Sequence, residues 1–567
     1  MSDSPKRLKV VFCWHMHQPY YKGPDKSDYY LPWVYLHGIK DYSDMASHLE
    51  NNPGAKAVVN FAPVLLEQID DYSNQIQAWL DKGSLIRDPL LAALAGPGLP
   101  VDVKSRKALI SSCLRANEQH LINRFEHFSK LADLGRRVLE QEEMIEYLND
   151  QYLVDLLVWY HLAWIGECQR SNSSQVESLQ TKIHGFDADD RRRLVVMIGD
   201  ILSGLTQRYG DLADQGRLEL SVTPYAHPIV PLLLDINSAR EAMPDVTLPN
   251  LEQYPGGSDR SRWHIRKGID VFEKHFGFRP KGCWPSEGAV SESTLKLLEE
   301  EGFHWAATGQ QVLNNSLMAD GNGELPENWV HTPYRVHESE LNVFFRDDGL
   351  SDLIGFTYGD WHSDDAVGDL ISHLENIATA CEANPDAVVS IIMDGENAWE
   401  YYPHNASYFL DTMYKRLVDH PRLDLTTFSE IQEGQTKPAP NLNSLVAGSW
   451  VYGTFSTWIG DRDKNRAWEM LGDAKQVYDR VLGDRKFTAK KLRELERQLA
   501  ICEGSDWFWW FGDYNPGDTV RDFEQLFRRQ LSHLYELMDE PEPDYLTKVF
   551  AVGSGDPSVG GTMRKNK

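Results

Sequence analysis

The chain has 567 residues, with 85 acidic against 57 basic side chains and a formal net charge of −28, and 41% of it is hydrophobic. That length suits a large α/β barrel with insertions, or two to four domains, while the acidic balance argues against nucleic acid as a partner, because phosphate binding needs a basic surface. No stretch reaches the roughly 18 to 20 apolar residues of a membrane span, so no membrane partner is expected.

Six cysteines (Cys13, Cys113, Cys168, Cys283, Cys381 and Cys502) contain no C-x-x-C pair, so neither a zinc site nor a disulfide framework is expected. Reduced thiols point to a cytoplasmic protein. Lys6, Arg7 and Lys9 precede an apolar patch in the manner of a signal peptide, but His15 breaks the patch at once and no small-residue cleavage site follows.

In chain order, Leu8 to Trp14 reads as the first strand and ends in His15-Met16-His17-Gln18-Pro19. Strand alternation puts His15 and His17 on one side. Two such histidines could ligate a metal, but no acidic third ligand adjoins them. They are therefore read as hydrogen-bonding partners of a substrate, with no metal and no other cofactor. Trp33 sits in an aromatic loop, and Ala57 to Phe61 reads as a second strand followed by Pro63 in the first turn of a helix. From about 105 to 214 the pattern is helical throughout, an insertion between barrel strands. Arg217 to Thr223 alternates strictly as the next strand, which makes His227 a binding candidate just past its end.

Gly282 to Trp284 reads as a short strand with Glu287 in the loop beyond it, before a helix capped by Ser291. Short strands follow at 304–309 and 341–347, and Asp360-Trp361-His362 forms an acid flanked by rings in a loop. The apolar, β-branched run Val388 to Met393 follows Asn384-Pro385-Asp386 and reads as a strand buried on both faces, ending at Asp394. Leu423 to Phe428 would be the last strand. Asp394 alone reads as a turn cap, since Asp-Gly is a common turn pair, and Glu287 alone as a loop acid. Parallel α/β sheets gather their chemistry at the strands' C-terminal ends, so both acids fall on one rim, beside Trp284 and Trp399. Such a pair suits glycoside hydrolysis: one carboxylate attacks or stabilises the anomeric carbon, the other protonates the leaving oxygen, and indoles stack on sugar rings.

The Pro-rich piece 433–443 reads as a linker closing a catalytic region of 1–432. Beyond it, a helical region of 444–540 carries three helical patterns, the last with Phe523, Leu526, Phe527, Gln530, Leu534 and Leu537 on one amphipathic stripe. Two aromatic segments in this region read as the domain seam, as sugar subsites or as both, and supply Trp458, Asp461, Asp506 and Trp507 as sugar-binding candidates. Asp461-Arg462-Asp463 opens like a calcium loop, but Arg466 occupies the place of the required glycine. Residues 541–567 read as a tail, with Gly553-Ser554-Gly555 flexible.

Five segments in order resemble glycoside hydrolase family 57, most closely its amylopullulanase and α-amylase branch. They are His17-Gln18-Pro19, the strand leading to His227, Gly282 to Glu287, Met393 to Glu400, and the C-terminal Trp-rich segments. The resemblance covers nearly the whole chain. It implies an α/β fold, an incomplete (β/α)7 TIM-like barrel with the helical insertion, followed by a helical domain that completes the cleft. It also implies a retaining mechanism with Glu287 as nucleophile and Asp394 as general acid/base, and Glu396 and Trp399 among the substrate contacts. The branching-enzyme and glucanotransferase groups carry other residues after the catalytic Asp. Gly395-Glu396-Asn397 therefore implies hydrolysis of α-1,4 glucosidic bonds, with α-1,6 bonds as an option, in glycogen, starch or maltodextrin. The alternatives are a 4-α-glucanotransferase or branching enzyme using the same pair, a metal-dependent carbohydrate enzyme using His15 and His17, and a silent glucan-binding protein.

Overall fold

A computed structural model describes residues 7–555 except 25–27, 322–324, 326–327 and 436. Seven strands run parallel: β1 (Leu8–Met16), β2 (Ala57–Phe61), β3 (Leu218–Val222), β4 (Gly282–Cys283), β5 (Trp305–Gly309), β6 (Asn342–Arg346) and β7 (Val388–Asp394). Each pairs with the next, and β1 pairs with both β2 and β7, which closes the barrel. An eighth strand, β8 (Leu423–Leu425), lies against Leu8 to Val10, while β2 takes the C-terminal half of β1 from Cys13 to Met16. It thus fills the edge of β1 that β2 leaves unpaired.

The near-continuous apolar strands follow from burial on two faces. Val11 and Cys13 of β1, Val58 of β2, Trp305 of β5, Phe344 of β6 and Val388 and Ile392 of β7 pack together as one cluster inside the barrel. Their sequence neighbours Val10, Phe12, Trp14, Val389, Ile391 and Met393 belong to the larger core outside it. Between β2 and β3, helices run from Val103–Cys113 to Ala188–Asp214, with no strand among the described residues. The long helix Ala188–Asp214 packs on Pro63–Lys82 beside the barrel wall.

The C-terminal region is helical, with Arg462–Asp484, Ala489–Cys502 and Gly517–Leu537 as its main elements. Phe523, Leu526, Phe527, Gln530 and Leu534 are buried, as the stripe predicts, and Leu531 is buried beside them. Within the piece read as a linker, Asn441–Leu442 forms a short parallel pair with Arg335–Val336. The expected flexibility of Gly553 to Gly555 is not what the fold shows. Ser554 N donates to Asp513 O at 2.8 Å and Gly555 N to Asn515 O at 3.0 Å, and a Cβ on Gly555 would lie 1.9 Å from Tyr514 O. Glycine there permits close backbone approach. The rest of that stretch, 556–567, lies outside the described residues. All six cysteines are free, and no helix among the described residues is long and apolar enough to cross a membrane.

Candidate active site

Strand alternation places the first group of side chains. Continuing the inward series Val11, Cys13 leads to His15, Val58 leads to Asn60, and Val388, Ile392 lead to Asp394. The register then aligns them: Ser221 faces Asn60, Asn60 faces His15, and His15 faces Asp394. One row across four adjacent strands thus carries the polar groups at the barrel's mouth. The row closes tightly at Gly395, whose N–H donates to His15 O at 2.7 Å and where a Cβ would lie 2.3 Å from Met16 Sδ.

Glu287 reaches the same mouth by a strained turn. Gly282 lies under the Trp305 indole, where a Cβ would come within 1.8 Å of the ring. After β4, Glu287 adopts a left-handed backbone (φ 59°, ψ 23°), uncommon for a side chain of this type. Gly288 continues it at φ 58°, its carbonyl accepting the Thr308 hydroxyl at 2.5 Å. Trp450, from beyond the barrel strands, donates its indole N–H to Glu287 Oε2 at 3.0 Å, and its backbone N–H to Glu287 O at 3.1 Å.

Three histidines stack beneath the site. The rings of His15 and His17 lie 5.6 Å apart at 19°, those of His15 and His227 5.2 Å apart at 19°, and those of His17 and His227 3.8 Å apart at 11°. Hydrogen bonding dictates their tautomers. Asn60 Nδ2 donates to Ser221 Oγ, so its Oδ1 accepts, and the Nδ1 of His15 at 2.7 Å carries the proton. Nε2 of neutral His15 is then an acceptor, 3.2 Å from His227 Nε2, which donates. His227 Nδ1 in turn accepts from Ser505 Oγ at 2.8 Å, and lies 3.8 Å from Glu287 Oε1. Burial, with His17 nearby, pushes His15 down to about 3, and burial with His17 and His15 holds His227 well below the usual imidazole range. His17 Nε2 donates to Asp506 Oδ1 at 2.8 Å.

The sequence offers no acidic third ligand beside His15 and His17, but the fold brings a third histidine, His227, up to them from the loop after β3. The three offer ring nitrogens within 4.8 Å of one another, the one such group among the described residues. Their near-parallel planes favour the hydrogen-bonded relay over convergence of three lone pairs on one ion.

A cavity of about 400 Å³ opens above this stack. Of the residues singled out in the sequence, His15, His17, Trp33, Glu287, Asp394, Glu396 and Asp506 line it. Burial pushes the Asp394 carboxyl up to about 6, against the pull of the Asn397 side-chain N–H at 2.9 Å and of His17 and Arg346. Burial, with Asp394 and Asp41 nearby, holds Glu396 well above the usual carboxylate range, although Gln18 Nε2 donates to it at 3.3 Å.

Other candidates fall elsewhere. Trp284, Trp399, Trp458 and Trp507 are buried packing residues. Trp399 sits edge-on to Trp14 with its N–H on Gly395 O, and Trp507 donates to Ile501 O. His227 is not among the lining residues, and its ring stacks on that of His17, which is. Asp461 caps the helix Arg462–Asp484 by accepting from Asp463 N. Asp360, Trp361 and His362 are not among the lining residues. Trp450, Trp509 and Trp510, which lie in the same two aromatic segments but are not singled out by the sequence, do line it, and so does Glu400 at the end of the Met393 to Glu400 motif. Aromatic density points to the segments without separating these three rings from Trp458 and Trp507.

Two carboxylates, one of them kept protonatable by burial, on the rim of a parallel barrel and facing a tryptophan-walled cavity define a glycosidase-type enzyme. The chain belongs to glycosyl hydrolase family 57, whose sequence profile matches residues 11–441. It is similar to a 1,4-alpha-glucan branching enzyme of Thermococcus kodakarensis, 22% identical over 381 residues, which span 54% of this chain and 52% of that protein. The match thus covers about half the length of that curated relative. Among solved structures, a branching enzyme of this family from Thermococcus kodakaraensis shares the fold at TM-score 0.55 and 17% identity, with 94% of this chain and 89% of that one covered. The alpha-amylase AmyC from Thermotoga maritima does so at 0.57 and 13%, covering 95% and 96%.

Proposed function

We propose that the chain is a retaining α-glucan hydrolase that cleaves α-1,4 glucosidic bonds in glycogen, starch or maltodextrin. In the proposed reaction Asp394 protonates the glycosidic oxygen while Glu287 attacks C1. Deprotonated Asp394 then activates water to release the glycosyl ester. The single observation that carries this reading is the shared cavity. Glu287 and Asp394 both line it, and Asp394 is pushed up to about 6, so that it holds its proton in mildly acidic solution. Trp450 fixes the rotation of the Glu287 carboxylate through its N–H. Trp33, Trp450, Trp509 and Trp510 supply apolar faces for sugar rings.

Glu287→Gln and Asp394→Asn are each expected to lower turnover of maltoheptaose by at least a thousandfold, with melting temperatures within a few degrees of the parent. Near-parental activity in either variant would refute the role assignment. Release of the α-anomer, read by proton NMR within the first minutes, is the expected stereochemical outcome, and the β-anomer would point to inversion.

The similarity to a branching enzyme supports a second reading, in which a sugar hydroxyl replaces water as acceptor. Maltotriose separates the two: glucose and maltose alone mean hydrolysis, and longer oligosaccharides mean transfer.

A further inference from the structure

The connections that follow β6 and β7 carry three large aromatic side chains outside the catalytic cavity: Trp361 beyond the helix Asp348–Phe356, Tyr401 at the end of the short helical turn Asn397–Tyr401, and Tyr408 in the first turn of the helix Ser407–Val418. Trp361 is 44% exposed, Tyr401 50% and Tyr408 60%. Their neighbours Tyr358, Trp399, Tyr402 and Phe409 are buried, so each exposed ring stands on a packed base. The two connections form one surface. Tyr402 Oη donates to Ile354 O at 2.6 Å, and the Tyr358 ring touches both Trp361 (5.4 Å) and Phe409 (6.0 Å). Beside Gly359 the chain passes so close that a Cβ would lie 3.0 Å from Tyr401 O.

The segment leading to Tyr408 is held rigidly in an unusual shape. His404, Asn405 and Ala406 are all left-handed, at φ 55°, 53° and 56°. Lys40 Nζ donates to Asn405 Oδ1 at 2.9 Å, Asn405 Nδ2 to Asp44 Oδ2 at 3.0 Å, and Arg124 lies 3.0 Å from His404 Nδ1. This surface is continuous with the cleft: Glu400, next to Tyr401, lines both the catalytic cavity and a smaller one bounded by Lys40, His120, Arg124 and Trp399.

Exposed ring faces flanked by Asp360, His362 and Glu400 match a neutral polyhydroxylated ligand, whose C–H faces stack on the rings while its hydroxyls bond the polar groups. Polyanions are disfavoured by the net charge of −28. We propose that Trp361, Tyr401 and Tyr408 form an outer platform that binds a long α-glucan chain several sugar units from the point of cleavage. This rests on the α-glucan reading above and adds to it a site that short oligosaccharides do not reach.

The test uses the full chain carrying Glu287→Gln, so that nothing is turned over. Glycogen binding is read by retardation in native gels, and maltotriose binding by calorimetry. Adding Trp361→Ala and Tyr408→Ala is expected to weaken glycogen binding about tenfold while the maltotriose Kd stays within twofold. Adding Trp361→Phe and Tyr408→Phe instead, which keeps ring faces, should restore most of the retardation. Unchanged glycogen binding, with maltotriose still bound, overturns the platform alone. Equal weakening for both ligands overturns it too, since the rings would then act through the cleft or the fold. If the Glu287→Gln protein binds neither ligand, the α-glucan reading falls and the platform with it.

Discussion

Trp450 holds Glu287 at two points, by its indole N–H on Oε2 at 3.0 Å and its backbone N–H on the main-chain carbonyl at 3.1 Å. Glu287 needs that support, because its left-handed backbone is not one a glutamate adopts unaided. A hydrogen bond to a charged group is worth about 1.5–3 kcal/mol, so Trp450→Phe, which keeps a ring but removes the donor, should cost roughly 10- to 100-fold in kcat/KM. Steady-state kinetics on maltoheptaose with a parallel melting curve checks this. A loss under threefold would mean that the indole acts only as a sugar platform.

The Asp394 carboxyl sets the expected pH dependence. Burial raises it from its ordinary value to about 6, so the proton required for leaving-group protonation is present below that pH and lost above it. The log of kcat/KM should therefore fall with unit slope above about pH 6. Asn397 Nδ2 donates to Asp394 Oδ2 at 2.9 Å and pulls the carboxyl down, so Asn397→Ala should move the alkaline limb to higher pH. A limb that stays put, or moves to lower pH, assigns it to another group. The same shift carries a stability consequence with the opposite sign from most carboxylates. Folding favours the protonated form, so the contribution of Asp394 is full below the unfolded value and is lost as pH rises through about 6.

What the sequence made legible was whatever strand periodicity controls. The i, i+2 series through Val11 and Cys13 reaches His15, and that through Val388 and Ile392 reaches Asp394, so alternation alone puts both on the inner face. The third histidine is beyond its reach, because His227 meets His15 only through the lateral order β1–β2–β3, which no local pattern encodes. Tryptophans beside acids misled for a related reason. In the helix Asp506–Trp510, Trp507 turns into the core against Phe523 and Phe527 while Trp509 and Trp510 reach the cavity, and density alone does not say which side of a short helix is inward. Trp284 and Trp399 likewise went to the packing beneath the acids they adjoin.

The last prediction concerns how the C-terminal region is fastened to the barrel. Glu503 is fully buried and accepts from Arg260 Nη2 at 2.8 Å, His264 Nε2 at 2.7 Å and Tyr254 Oη at 2.6 Å. Arg260 and His264 come from the helix Gly257–Phe276, and Glu503 is separated only by Gly504 from the Ser505 and Asp506 that bond His227 and His17. Burial alone would raise this carboxyl, but Arg260 and His264 more than offset it and hold it down to about 2. Glu503→Gln leaves the Arg260 charge buried without its counter-ion, a defect that costs about 3–5 kcal/mol. Replacing both partners, by Arg260→Met and Glu503→Leu, should recover most of that loss. Urea denaturation at pH 7 reads both effects, and a cost under about 1 kcal/mol for Glu503→Gln would mean the pair is dispensable. The pH response follows from the lowered carboxyl: its contribution is full above the unfolded value near 4.5 and fades as pH falls towards 2. The parent protein should therefore lose more stability across that window than the doubly replaced variant, and equal losses would place the acid sensitivity elsewhere.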